Sequence, residues 1–248
     1  MPWRVLGNYR FDWKLSLLVL VLLPLCLRLG FWQLAREQEK LALQQNWQER
    51  QMEIPVALQS VDTAADLQYL QVWFEGHYDN EHVFLLDNRT YQGQVGFEVV
   101  QPFRTLDNRI VFVNRGWQAQ GATRQDLPVP PLLYNSVRLQ GSVYVPVGEQ
   151  LVLGEIAPGA EWPKLVQTLE IAELVRLSGI EASADVFGSS VRLAEATPGV
   201  LARNWSVVST TPEKHRGYAV QWFAMATALV LLYFYYSTRT PARKELEN

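Results

Sequence analysis

His215, Tyr218 and Trp222 stand at the start of the chain's last apolar run, and their i, i+3, i+7 spacing sets them on one stripe of a helix. A neutral imidazole ligates iron, and two rings below it would wall a flat apolar macrocycle. The plain alternative is a half-solvated interfacial histidine between Lys214 and Arg216. A second group is Gly30-Phe31-Trp32-Gln33-Leu34-Ala35-Arg36, with Lys40 one turn on. It reads first as an interfacial belt, Trp32 at headgroup depth and Arg36 against lipid phosphates. The third is Val111-Phe112-Val113-Asn114-Arg115-Gly116-Trp117, where period-2 alternation turns Val111, Val113 and Arg115 to one face. An arginine closing an apolar face either snorkels to water or binds an anion.

Other chemistries lack their residues. His77 and His82 bracket Tyr78-Asp79-Asn80-Glu81, four metal-capable side chains in six residues, but Asp and Asn there fit the backbone of a hairpin turn. Gly188-Ser189-Ser190 lacks the spacing of a nucleophile elbow, and neither a phosphate loop nor a dinucleotide fingerprint is present. Cys26 is the one cysteine, which excludes a disulfide, a Cys-x-x-Cys pair and a two-thiol copper relay. With a net charge of −3 and no basic block beyond short tails, the chain carries no nucleic-acid footprint.

Two apolar runs must carry the helix-borne groups. From Tyr218 to Tyr236 there is no charge, for about the 20 residues a bilayer-crossing helix needs, with aromatic residues crowding both ends. Leu15–Leu27 is equally apolar, and Arg28 then interrupts it near the outer end, where a long stem can snorkel. No small-x-small site follows this run, and Leu25 is too large to precede a lipidated cysteine, so it reads as a retained anchor. Arg4, Arg10 and Lys14 before the first span, and Arg239, Arg243 and Lys244 after the second, predict that both termini face the cytoplasm. Arg36–Met52, free of Gly and Pro, predicts a helical stalk that Ile54-Pro55 ends.

Between the spans, β-prone runs cover Tyr69–Tyr78, Val83–Asn88, Phe97–Phe103, Ile110–Trp117, Val137–Val145 and Trp205–Ser209. Turn residues Asp79-Asn80, Gln92-Gly93 and Asp107-Asn108 separate neighbours and predict an antiparallel meander. Leu165–Leu177 is apolar at helical spacing and stops at Ser178-Gly179, which predicts a helical insertion. The expected fold is a membrane protein: two transmembrane α-helices flank an extracytoplasmic, mainly antiparallel β domain, a small barrel or sandwich with helical additions. The expected segments are a tail (1–14), span (15–34), stalk (35–53), β-rich domain (54–212, insertion 165–178), span (213–236) and tail (237–248).

Taken jointly, Gly30-x-Trp32-Gln33-x-x-Arg36 with Lys40, Val113-Asn114-Arg115-Gly116-Trp117, and His215-x-x-Tyr218-Ala219-x-Gln221-Trp222-Phe223 resemble the surfeit-locus-one family of cytochrome c oxidase assembly proteins. The resemblance covers nearly the whole chain. It departs at Arg28 and after Trp117, where Gln-Ala-Gln-Gly-Ala replaces a shorter hydrophobic-Pro turn. It implies a biogenesis factor, not an enzyme, in the bacterial inner membrane, with its main domain in the periplasm. Such a protein would bind haem a as transient cargo and assist its insertion into the oxidase catalytic subunit. His215 becomes the candidate axial ligand to the haem iron, Tyr218 and Trp222 wall the macrocycle, and Arg36 or Arg115 pairs with propionates. Trp32, Gln33 and Gln221 complete the site that the resemblance implies. The implied partners are the catalytic subunit, the haem a synthesis enzyme and membrane lipid, with homo-oligomer formation left open. The alternative is a scaffold that docks oxidase subunits without touching haem.

Overall fold

From Trp13 the chain runs as one helix, α1 (Trp13–Met52), about 60 Å long at 1.5 Å per residue and so far longer than a bilayer core. The computed structural model describes residues 12–62, 64–122, 126–146, 161–181, 183–203, 205 and 210–238. The remaining elements are β1 (Val56–Ala57), β2 (Gln71–Tyr78), β3 (Phe84–Tyr91), β4 (Gln94–Thr105), β5 (Ile110–Ala119), β6 (Val137–Tyr144), β7 (Lys164–Val166), α2 (Ile171–Ser178), β8 (Val186–Leu193) and α3 (Pro212–Thr238). The chain divides into two compact units, Met1–Asn46 with Val207–Asn248, and Trp47–Ser206.

The first unit pairs the N-terminal part of α1 with α3. Both helices are long and apolar enough to cross a membrane. They run antiparallel, since Ser16 Oγ meets Tyr233 Oη at 2.9 Å near one end while Gln33 meets His215 near the other. Small residues make the contact: Cys26 and Gly30 are buried on α1, Ala219 and Ala226 on α3. Apolar helices in lipid gain little from hydrophobicity, so close approach through small side chains carries their association. A Cβ on Gly30 would stand 2.7 Å from Cε1 and Cζ of Phe223, a ring held edge-on by Phe31 at 5.2 Å between centroids. Gly30→Ala is therefore expected to weaken the helix pair by about 1–3 kcal/mol, and Phe223→Val in the same chain to restore it. Thermal unfolding in detergent measures both; an unchanged single variant would contradict the packing.

The second unit is a closed barrel. Its sheet order is β1-β2-β6-β8-β5-β4-β3-β7, and an added β2–β4 pairing closes a ring of β2, β6, β8, β5 and β4. Val72, Phe74, Tyr78, Phe103, Val111, Val113, Leu139, Val143, Phe187, Val191 and Leu193 fill its interior. A second core lies on the opposite face of the sheet, where Leu169 and Leu174 join Phe84, Leu86, Val100, Phe112 and Val166. β3, β4 and β5 form the antiparallel meander, but β2 pairs with β4 and β6 and not with its sequence neighbour β3.

Two expectations are corrected. The helix predicted from Leu165 starts only at Ile171, because Lys164–Val166 instead pair in parallel with β3 and satisfy that strand's open edge. Its predicted stop is in place, with Gly179 at φ 66° as the left-handed C-cap. No strand is predicted around Gly188-Ser189-Ser190, yet β8 is a ring strand, parallel to β5 and antiparallel to β6. Of the strand expected over Trp205–Ser209, only Trp205 is among the described residues, and it is not in a strand. Both charged tails except Asp12–Lys14 and Ser237–Thr238 also lie outside them.

Candidate functional site

The helix pair joins two of the sequence-predicted residues directly. Gln33, on the stripe Cys26-Gly30-Gln33-Glu37 of α1, places its Oε1 2.8 Å from Nδ1 of His215. An amide oxygen can only accept, so Nδ1 carries the hydrogen, and in the neutral ring the lone pair is then on Nε2. Among the described residues nothing hydrogen-bonds to Nε2, and the ring is half-buried. One turn further along α1, Glu37 is buried with its side chain 8% exposed, and both Nε (2.6 Å) and Nη2 (2.5 Å) of Arg216 reach its Oε1. Arg216 is mostly exposed, so its head stays in a polar setting while it neutralises a carboxylate that burial would otherwise penalise. Two adjacent residues of α3, His215 and Arg216, thus meet two α1 residues four apart, which fixes the helices in rotation as well as distance.

The other predicted residues surround this contact unevenly. Trp222 is half-buried, and Tyr218 and Gln221 are exposed. Trp32 is exposed on α1, and Arg36 lies over its ring at 5.8 Å while donating from Nη1 to Glu39 Oε2 at 2.6 Å. With its side chain nearly half exposed, Arg36 can exchange Glu39 for another carboxylate at small cost.

Arg115 belongs to the barrel domain. It is 1% exposed, the largest fully buried side chain among the described residues. Its Nε donates to Gly199 O (2.7 Å), Nη1 to Gln101 Oε1 (2.5 Å) and Nη2 to Pro131 O (3.0 Å), above the Tyr78 ring at 5.0 Å. Burial lowers the guanidinium's proton affinity, which Tyr78 partly offsets; burial likewise pushes the Tyr78 hydroxyl up, against the pull of Arg115. Arg115 lies on the inward face with Val111 and Val113 and is the extra residue of a bulge in β5, and the next residue must be glycine: Gly116 has φ 120°, and a Cβ there would stand 2.5 Å from Ala202 O. Each of the three nitrogens donates to one of the domain's own carbonyl or amide oxygens, which gives the side chain a structural role in the barrel.

The turn at Asp79 acts as the sequence suggests. Its Oδ1 accepts from the backbone of Glu81 and His82, and its Oδ2 lies 2.6 Å from His82 Nδ1. Sequence reasoning missed Glu37, although a lone carboxylate on a stripe of small residues, one turn past Gln33, was a usable signal. It also missed Glu98 and Arg192, because Arg192 sits on the unread strand β8.

The features together define a β-barrel domain and a pair of membrane-length helices, with a histidine held at the contact between the helices. A model of the SURF1 family matches residues 20–227, and the chain belongs to that family, one of cytochrome oxidase assembly factors rather than enzymes. It is similar to a SURF1-like protein of Rickettsia felis, 23% identical over 90% of this chain and 96% of the relative. A SURF1-like protein of Rickettsia bellii is 24% identical over 93% of each chain. An uncharacterized SURF1-like protein of Mycobacterium bovis is 25% identical over 93% of this chain and 86% of the relative.

Proposed function

We propose that this protein is a cytochrome c oxidase biogenesis factor of the bacterial inner membrane that holds haem a as cargo through His215 and assists its delivery to the catalytic subunit. The observation that carries the reading is the Gln33–His215 hydrogen bond. Gln33 takes the Nδ1 hydrogen, which leaves Nε2 as the basic nitrogen, the arrangement by which outer-shell acceptors orient metal-ligating histidines. Haem a would supply an iron with an open axial position and two propionates. Trp222 and Tyr218 offer apolar faces beside the imidazole, and Arg36, whose exposed pairing with Glu39 is exchangeable, is the cation that would take a propionate. The donor set fits such a cargo. It would arrive from the haem a synthesis enzyme and leave to the oxidase subunit within the same membrane.

The cationic tails and the antiparallel helices support both termini in the cytoplasm and the barrel in the periplasm. An alkaline phosphatase fused after Asn248 is expected to be silent and a fluorescent cytoplasmic reporter active there; the opposite pair would invert the topology. The haem reading is tested by the absorption spectrum of the protein purified from cells that also make haem a. A Soret band that co-purifies with the chain supports it, and a chain that stays colourless with haem a in excess contradicts it.

A scaffold without haem is the second reading, and one observation favours it. Gln33–His215 and Glu37–Arg216 together form a polar lock between the helices, sufficient by itself to give both polar pairs a packing role. On that reading His215→Gln supports oxidase assembly, with no spectrum to lose.

A further inference from the structure

On the outward face of the barrel Arg192 is paired by register with Ser142 of β6 on one side and Asn114 of β5 on the other. Its guanidinium lies over the Tyr144 ring at 3.5 Å and the Trp205 ring at 5.1 Å, and Trp205 is itself pinned by its Nε1 donating to Leu193 O at 3.1 Å. Stacking fixes the plane of the fork without satisfying its donors. None of the three Arg192 nitrogens hydrogen-bonds to a described residue, and Nε is buried.

A second guanidinium shares this condition. Arg89 Nε is buried without a hydrogen-bond partner, 3.9 Å from Glu98 Oε1, too far for a bond. Glu98 is held from the other side, its Oε2 accepting from Asn114 Nδ2 at 2.6 Å. Desolvation lowers the Arg192 guanidinium's proton affinity; Glu98, Tyr144 and Tyr69 raise it and Arg89 lowers it further, so the three charged groups act on one another. Arg89 thus stands beside Glu98 Oε1, Glu98 Oε2 is taken by Asn114, and Asn114 is the register partner of Arg192 across β5 and β8. The cluster keeps one positive charge in excess and two buried donors unfilled, a costly arrangement for a surface with no anion to meet.

We propose that Arg192, supported by Arg89, binds a phosphate-type oxyanion on the outer face of the barrel. Tyr144 and Trp205 hold the fork flat, and Glu98 limits affinity by competing for the same cations. A tetrahedral oxyanion suits the cluster because it offers several oxygens to two forks at once. The group could arrive as free phosphate or as a phospholipid headgroup, and the chemistry of recognition is the same.

The test is calorimetric titration of the full-length protein in neutral detergent with inorganic phosphate, against chloride at equal ionic strength, and separately with micelle-free dihexanoyl phosphatidate. Saturable phosphate uptake is expected, weakened by about tenfold or more in Arg192→Gln. Arg192→Lys, which keeps the charge and loses the fork, is expected to weaken it by a few-fold. Glu98→Gln retains the acceptor for Asn114 while removing the competing charge, and is expected to tighten uptake by about five- to tenfold. Uptake of phosphatidate alone, lost in Arg192→Gln and tightened in Glu98→Gln, supports the site with a lipid source; uptake of both ligands with that pattern supports it with free phosphate sufficient. Absence of uptake of either ligand, uptake unchanged in Arg192→Gln, or an affinity not raised by Glu98→Gln overturns the proposal.

Discussion

His215→Ala, purified from cells making haem a, is expected to lose on the order of tenfold or more of the haem that accompanies the wild-type chain, while reaching the membrane in normal amount. Insertion depends on some 20 apolar residues and their flanking aromatic and cationic belts, to which one interfacial side chain adds little. The haem bond, by contrast, depends on a single nitrogen. Neighbouring substitutions grade the effect. Gln33→Leu removes the acceptor that fixes the ring's tautomer and orientation, and outer-shell losses of this kind weaken metal binding by about ten- to a hundredfold. Gln33→Glu keeps an acceptor at the same place and is expected to retain more haem than Gln33→Leu. His215→Met offers a thioether and is expected to keep partial binding, whereas His215→Lys offers an ammonium that must first lose its proton. The ordering separates ligation from packing: a helix lock would be rescued by His215→Gln, which can still hydrogen-bond Gln33, and ligation would not. Wild-type haem content in His215→Ala ends the ligand reading and leaves the scaffold.

The helices were legible in the sequence because their signal is local: an uncharged run, aromatic ends and flanking cations need no tertiary context. Five strands were legible for a related reason, since period-2 alternation survives wherever one face is buried. β8 was not, because Gly188-Ser189-Ser190 carries turn chemistry, and only its place between β5 and β6 makes a strand of it. Without β8 the ring cannot close, so the sequence supported a meander and a guess of barrel or sandwich but not the strand order. The candidate site divides the same way. His215 and Gln33 could be named singly, from a helix mouth and an interfacial motif, but their hydrogen bond joins residues 182 positions apart. The face on which Arg115 lies was read from alternation with Val111 and Val113; that this face is the inside of a closed ring depends on pairings remote in the chain.

Arg115→Ala is expected to unfold the barrel or leave it barely stable, whether or not haem is present. The guanidinium is the shared donor for three segments: the strand carrying Gln101, the stretch at Pro131 and the turn at Gly199. Gln101 in turn donates to Asp79 O at 3.2 Å, and Tyr78, below the guanidinium, donates to Pro198 O at 2.9 Å, so the same group fastens the loops at that end of the barrel. Removing it strands three acceptors at about 1–3 kcal/mol each and opens a cavity where a long side chain lay, a loss of roughly 3–9 kcal/mol. Domains of this size hold only about 5–15 kcal/mol in total. Arg115→Lys keeps the charge but brings one ammonium where a planar fork reached three ways, and is expected to fall between wild type and Arg115→Ala. Arg115→Met fills the space better than alanine and still leaves the acceptors unpaired, so it is expected to lie nearer Arg115→Ala. Tryptophan fluorescence during urea unfolding of haem-free protein measures all three. If Arg115 instead served a propionate, Arg115→Ala in haem-free protein would unfold at the wild-type midpoint and differ only once haem was added.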